Sequence, residues 1–169
     1  MSSLLVDYKK ETKITLIIFF SVYTITSCVS LIFLDYKVSP MKDFNEDYIS
    51  FQTFIYILRN NLFVFLLLLL GTITFGILTL TNIISNAIML GVATKGILEL
   101  GPISFPILIH GIPEFLSFFL AANFGLKPIN YHFSNYKKSI KICFIGFILV
   151  ISAALIEAYI SPMVILLLK

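Results

Sequence analysis

The sequence predicts an all-α polytopic transmembrane helical bundle of about five spans, with the fourth span broken. Three observations carry that expectation. From Leu62 to Thr94 the chain runs 33 residues without a charged side chain. As one helix this run would reach about 50 Å, well beyond a hydrocarbon core of about 30 Å, so it must reverse direction. The whole chain of 169 residues is 59% hydrophobic and 12% charged, with a mean hydropathy of +1.00. A soluble domain would be about 25% charged. Finally, lysines gather at the ends of apolar stretches. The net charge of +3 is too small, and too confined to helix ends, to indicate a nucleic-acid partner. The partner implied by composition is the lipid bilayer, and 1–169 reads as a single transmembrane domain.

Taken in order, the first span is 14–34. Lys9, Lys10 and Lys13 precede it in the manner of a signal peptide. Its apolar stretch of about 21 residues is too long for a signal core, and no small-x-small site follows, so it reads as an uncleaved span. A polar segment, 35–50, leads to an interfacial amphipathic helix over 48–61. The second span is 62–81, and a shorter apolar element, 82–96, ends at Lys95. The fourth span, 103–126, carries Pro106 and Pro113. The fifth is 142–160, followed by an apolar tail. Cys28 and Cys143 lie inside apolar runs with no CxxC spacing and read as small apolar fillers.

Orientation turns on 82–96. If it crosses, Lys9, Lys10 and Lys13 share a side with Lys127, Lys137, Lys138 and Lys141. The positive-inside rule then sets the N-terminus in the cytoplasm and the C-terminus outside. Localisation follows as the cell membrane, with several passes.

The ionisable residues at depth are His110, Glu114 and Glu157. Measured along ideal helices, Glu114 lies about 20 Å and His110 about 26 Å from Lys127, while Glu157 lies about 24 Å from Lys141. All three fall in one layer of the outer half. Helical phase aligns His110, Glu114, Ser117, Ala121 and Gly125 on one stripe of the fourth span. Gly146, Val150, Ala153, Ala154, Glu157 and Ser161 form a similar stripe on the fifth. Small residues allow close helix approach, and polar residues turn toward the bundle interior, so these two faces are expected to pack together. Gly111 and Pro113 predict two half-helices, 103–110 and 113–126, with Glu114 near a helix start. Such broken helices often mark a binding or transport site.

Blander readings stand beside that one. His110 caps a helix end or bonds a carbonyl; Glu114 and Glu157 pair with Arg59, Lys95 or the backbone. Asn82, Asn86, Met89, Ala93 and Gly96 share a face that reads as packing. No metal site is expected, since the chain offers one histidine at depth and no HExxH. P-loop, GxSxG and Cys-His signatures are missing as well, so neither a cofactor nor catalysis is expected. An intramembrane acid-base enzyme built on His110 and Glu114 is the minor alternative.

Four segments, RNNLFVFLLLLLGTITFGILTL, SNAIMLGV, PILIHGIPEFLSFFLAANFGLKP and SAALIEAYISP, together resemble the stage II sporulation protein M family. The resemblance covers roughly Arg59 to Pro162. It rests on an Asn-Asn entry to a Gly-rich span, a His-Gly-x-x-Glu block and a closing Ile-Glu-Ala-x-x-Ser-Pro. The residues it carries over are Asn60, Asn61, His110, Gly111, Glu114, Gly125, Glu157, Ser161 and Pro162. In this chain proline precedes Glu114, whereas the family's usual order is Glu-Leu-Pro or Glu-Ile-Pro. The resemblance implies an integral membrane protein of about five spans without established catalytic activity. The family's namesake is a membrane scaffold for two cell-wall hydrolases during spore engulfment. Short members occur in circular-bacteriocin systems beside an ABC-type ATPase, where maturation, export or immunity of a hydrophobic peptide is implicated. The expectation is therefore a non-catalytic subunit, scaffold or gate, of a multi-protein membrane complex. A permease-like component for such a peptide is the alternative.

Overall fold

Capping residues and backbone breaks divide the apolar chain into helices, and the computed structural model describes them over residues 8–34 and 49–167. Helix α1 is Lys9–Phe33. Helix α2, Phe51–Leu70, starts at Ser50, whose hydroxyl accepts the Thr53 amide at 3.1 Å and caps the first turn. Helix α3 is Ile77–Leu100, and a 3₁₀ turn, Gly101–Ser104, leads into α4, Phe105–Gly125. After the short α5, Ile129–Ser134, comes α6, Tyr136–Leu155. It continues through a π turn, Ile156–Ile160, into α7, Ser161–Leu167. Five of these stretches are long and apolar enough to cross a membrane, the last running unbroken from Tyr136 to Leu167. The described residues contain no strand.

Successive long helices alternate in direction. One end of the bundle gathers Lys9, Lys10, Lys13 and Lys127, where Thr72 donates to the Lys127 carbonyl at 2.7 Å. At the opposite end the Lys95 ammonium donates to the Leu34 carbonyl. Helix α1 packs most extensively on α3, α4 on α6, and α2 lies against α3, α4 and α6. Hydroxyls tie α1 to α3: Ser30 donates to the Val92 carbonyl at 3.0 Å, and Ser27 meets Thr94 at 3.3 Å. Such interhelical bonds contribute about 0.6 kcal/mol each in a membrane, so close packing matters more than any one of them. The packing is tight at Gly125, where a Cβ would sit 1.9 Å from the Leu68 carbonyl oxygen and 2.2 Å from the Thr79 hydroxyl. Phe19, Phe65, Leu68, Phe118 and Val150 fill the core between the helices.

Four boundaries differ from those expected. The interfacial helix at 48–61 and the span beginning at 62 are one helix over the described part, because no glycine or proline interrupts 51–70; Tyr48 and most of the polar segment 35–50 lie outside the described residues. The reversal falls at 71–76, where Phe75 (φ 51°) and Gly76 (φ 85°) adopt left-handed conformations. The third crossing thereby gains its full length, from Ile77 to Leu100, in place of a short element at 82–96. The fourth helix is not broken: it runs continuously through Gly111 and Pro113. Bonds from neighbours hold it on both sides of the proline, and in lipid a helix that opened there would expose more backbone. The irregularity lies in the last crossing. Pro162 offers no amide to the Ala158 carbonyl, and the Ser161 amide reaches the Ile156 carbonyl across a wider turn.

Candidate functional site

Helix α4 and the π turn bring three ionisable side chains together. His110, Glu114 and Glu157 place one ligand atom each within 4.8 Å of one another, and all three are half-buried. His110 Nε2 lies 3.9 Å from Glu157 Oε2, with the side chains 14% and 34% exposed respectively. His110 and Glu114 are one turn apart on α4 and share its face. Glu157 joins them from the start of the π turn, a segment that packs against α4.

Two hydroxyls fix this geometry. Ser117 donates to the Gly146 carbonyl at 3.0 Å, while the missing side chain of Gly146 makes room for α2, since a Cβ there would lie 2.5 Å from the Phe65 ring. At the other end of the site Ser161 donates to the Pro106 carbonyl at 2.8 Å and also contacts His110 Nδ1 at 3.4 Å. The Pro106 carbonyl only accepts, so it uses the single Ser161 proton. The Ser161 oxygen is then left to accept from Nδ1–H. With Nδ1 engaged by Ser161, the other ring nitrogen, Nε2, is the one turned toward Glu157.

The remaining expected residues divide. Ser117, Ala121, Gly125, Gly146, Ala153 and Ser161 are buried between α4, α6 and their neighbours. Asn61 is 4% exposed, and its Nδ2 has no hydrogen-bond partner among the described residues. It stands one turn from Phe65 in the direction of the site, while Glu114 stands three residues from Ser117 in the same direction. Phe65 and Ser117 both meet Gly146, so Asn61 and Glu114 occupy the same level. Arg59 and Asn60 are exposed and line an outward-facing groove on α2 with Tyr56 and Phe63. Gly111 has open space around it, with Phe115 the nearest neighbour at 3.7 Å. Asn86 bonds back to Asn82 within α3 at 2.8 Å, a local contact.

A second polar cluster, at the lysine-rich end, was not expected from the sequence. Lys127 pairs with Glu11 at 3.1 Å and lies over the Tyr131 and Tyr8 rings at 4.7 and 5.6 Å. Asn123 donates to Thr12 at 2.8 Å. His132 donates from Nε2 to the Phe124 carbonyl at 3.1 Å and so accepts from the Ser139 hydroxyl at Nδ1, at 2.8 Å. Burial pushes the His132 imidazole below its ordinary value, and Lys127 adds to the effect. The available signal was the stripe Tyr8, Glu11, Thr12 and Thr15 along the start of α1.

Comparison with known proteins identifies a family. The family model described as Stage II sporulation protein M matches residues 14–162. An uncharacterized protein of Methanocaldococcus jannaschii is 37% identical over 124 residues, covering 63% of this chain and 69% of that protein. No solved structure matches the chain. With nearly its whole length matched, the chain is a multi-pass membrane protein that belongs to the stage II sporulation protein M family.

Proposed function

We propose that the chain is a non-catalytic subunit, scaffold or gate, of a larger assembly in the cell membrane, with its N-terminus cytoplasmic and its C-terminus outside. The observation that carries this reading is Glu157. Its side chain is 34% exposed inside a crossing that is apolar on both sides. A carboxylate at that depth costs several kcal/mol against lipid, on the order of 3 kcal/mol by insertion scales, and a protein neighbour removes that contact. Arg59 and Asn60, exposed on α2, point to the same need. Other membrane proteins are the partners, with a soluble ATPase or cell-wall hydrolases supplying whatever chemistry the assembly performs. A photo-cross-linker at Ile160, exposed one turn from Glu157, tests this in native membranes. A discrete adduct with a second membrane protein is expected; the monomer band alone would contradict the reading.

A second reading is favoured by the titratable cluster itself, in which two carboxylates and an imidazole meet within an apolar crossing. Here the chain is a permease-like component handling a hydrophobic peptide beside an ATPase. Glu114→Gln or Glu157→Gln then abolishes peptide export or protection at normal protein abundance. Unchanged secretion at normal abundance counts against it.

A further inference from the structure

We propose that His110, Glu114 and Glu157 bind one divalent transition-metal ion. The ligand set is one imidazole nitrogen and two carboxylates from two neighbouring crossings, with their ligand atoms within 4.8 Å of one another. A tetrahedral ion with bonds of about 2.0–2.2 Å separates its ligand atoms by about 3.4 Å, so the 3.9 Å between His110 Nε2 and Glu157 Oε2 needs only a small side-chain closure.

Charge selects the ion. Two ionised carboxylates and a neutral imidazole sum to −2, and a divalent cation makes the site neutral, which a low-dielectric surrounding favours. A monovalent ion leaves a net charge in the membrane. The nitrogen ligand then separates transition metals from Mg²⁺ and Ca²⁺, which prefer oxygen alone.

The surroundings are built for that use. Ser161, itself held by the Pro106 carbonyl, contacts His110 Nδ1 and leaves Nε2 turned toward the site. An outer partner of this kind is what metal-binding histidines ordinarily have. Independently, Asn61 buries an unpartnered amide donor at the level of Glu114. Three protein ligands leave a fourth position for water or another oxygen ligand, and an unpartnered amide donor at the same level suits such an oxygen. In this role His110, Glu114 and Glu157 are ligands, whereas Ser161 and Asn61 are positioning residues.

The site does not depend on the assembly reading, since it is assayed on the isolated full-length chain while cross-linking reports assembly. The chain is purified in detergent, stripped with a chelator and titrated with Co²⁺, then with competing Zn²⁺. One equivalent of Co²⁺ is expected to give the visible absorption of a low-coordinate site and to be displaced by Zn²⁺. His110→Ala and the pair Glu114→Gln/Glu157→Gln should weaken binding at least 100-fold, while His132→Gln, outside the site, leaves it unchanged. Circular dichroism and gel filtration establish that each variant is folded. Should a ligand variant fail to fold, Ser161→Ala provides the second reading, with Co²⁺ affinity reduced about 10–100-fold. Absence of stoichiometric Co²⁺ or Zn²⁺ binding by the folded wild-type chain overturns the proposal. Equal binding by the folded double carboxamide variant overturns it too.

Discussion

At the lysine-rich end of the bundle, Glu11 meets Lys127 at 3.1 Å, and the cation also lies over two tyrosine rings. In the other half of the bundle, Glu114 and Glu157 lie beside the His110 imidazole, with one ligand atom from each of the three within 4.8 Å of the others. The first cluster carries its own counter-charge and reads as a clamp joining α1 to the end of α4. The second is built of two carboxyl groups and an imidazole, a donor set suited to a cation. That difference separates a structural ion pair from a ligand site. Burial alone does not, since Glu11 is more buried than Glu157.

Breaking the clamp should have the largest effect. Lys127→Met leaves Glu11 without its cation in a buried setting and is expected to cost about 3 kcal/mol, read as a fall in the thermal midpoint in detergent. In the metal-free protein Glu157→Gln should do the reverse, leaving the midpoint unchanged or higher, because it replaces an acid held inside an apolar crossing by a neutral amide of the same shape. If both substitutions destabilise the metal-free chain equally, the two clusters are the same kind of device and the comparison fails.

Next in size is the packing that holds α4 in place between the clusters. Gly125→Ala drives a methyl group into the Leu68 carbonyl and should cost about 1–3 kcal/mol. Gly111→Ala, with open space around it inside a continuous helix, should be neutral or stabilising by less than about 1 kcal/mol. A large loss at Gly111 would restore the broken helix that the sequence led one to expect.

The smallest expected effect concerns pH. Burial holds the His132 imidazole below its ordinary value, so the folded chain resists a proton that the unfolded chain accepts near pH 6.5. The stability this group contributes is complete above that pH and is lost as pH falls below it toward the depressed folded value. Comparing thermal midpoints at pH 7.5 and 5.5, His132→Gln should show a shallower decline than the wild type. An identical decline would remove His132 from the clamp's account.

How much of this was legible in the sequence follows from which physics acted locally. The count of crossings and the common level of His110, Glu114 and Glu157 needed only apolar length and a constant rise per residue, both of which survive folding. The reversal at 71–76 was not legible, because Phe75, an unusual residue for a left-handed conformation, shares it with Gly76. Pro113 misled for the opposite reason. Its local cost is real, but Ser117 and Ser161 hold the helix on either side, and that support comes from a partner helix 29 to 55 residues away. The π turn depends on Pro162 and on the fit against α4 together, so no window of sequence displays it. The clamp escaped notice because Glu11 and Lys127 looked like ordinary end-of-span charges until the fold joined their segments.

X-ray absorption at the zinc edge, recorded on the full-length chain loaded with one equivalent of Zn²⁺, tests the distinction most directly. A nitrogen and oxygen first shell at about 2.0–2.2 Å is predicted, with outer scattering from a single imidazole that disappears in His110→Ala. A chain that does not load, or a spectrum without imidazole scattering that His110→Ala leaves unchanged, would contradict the account.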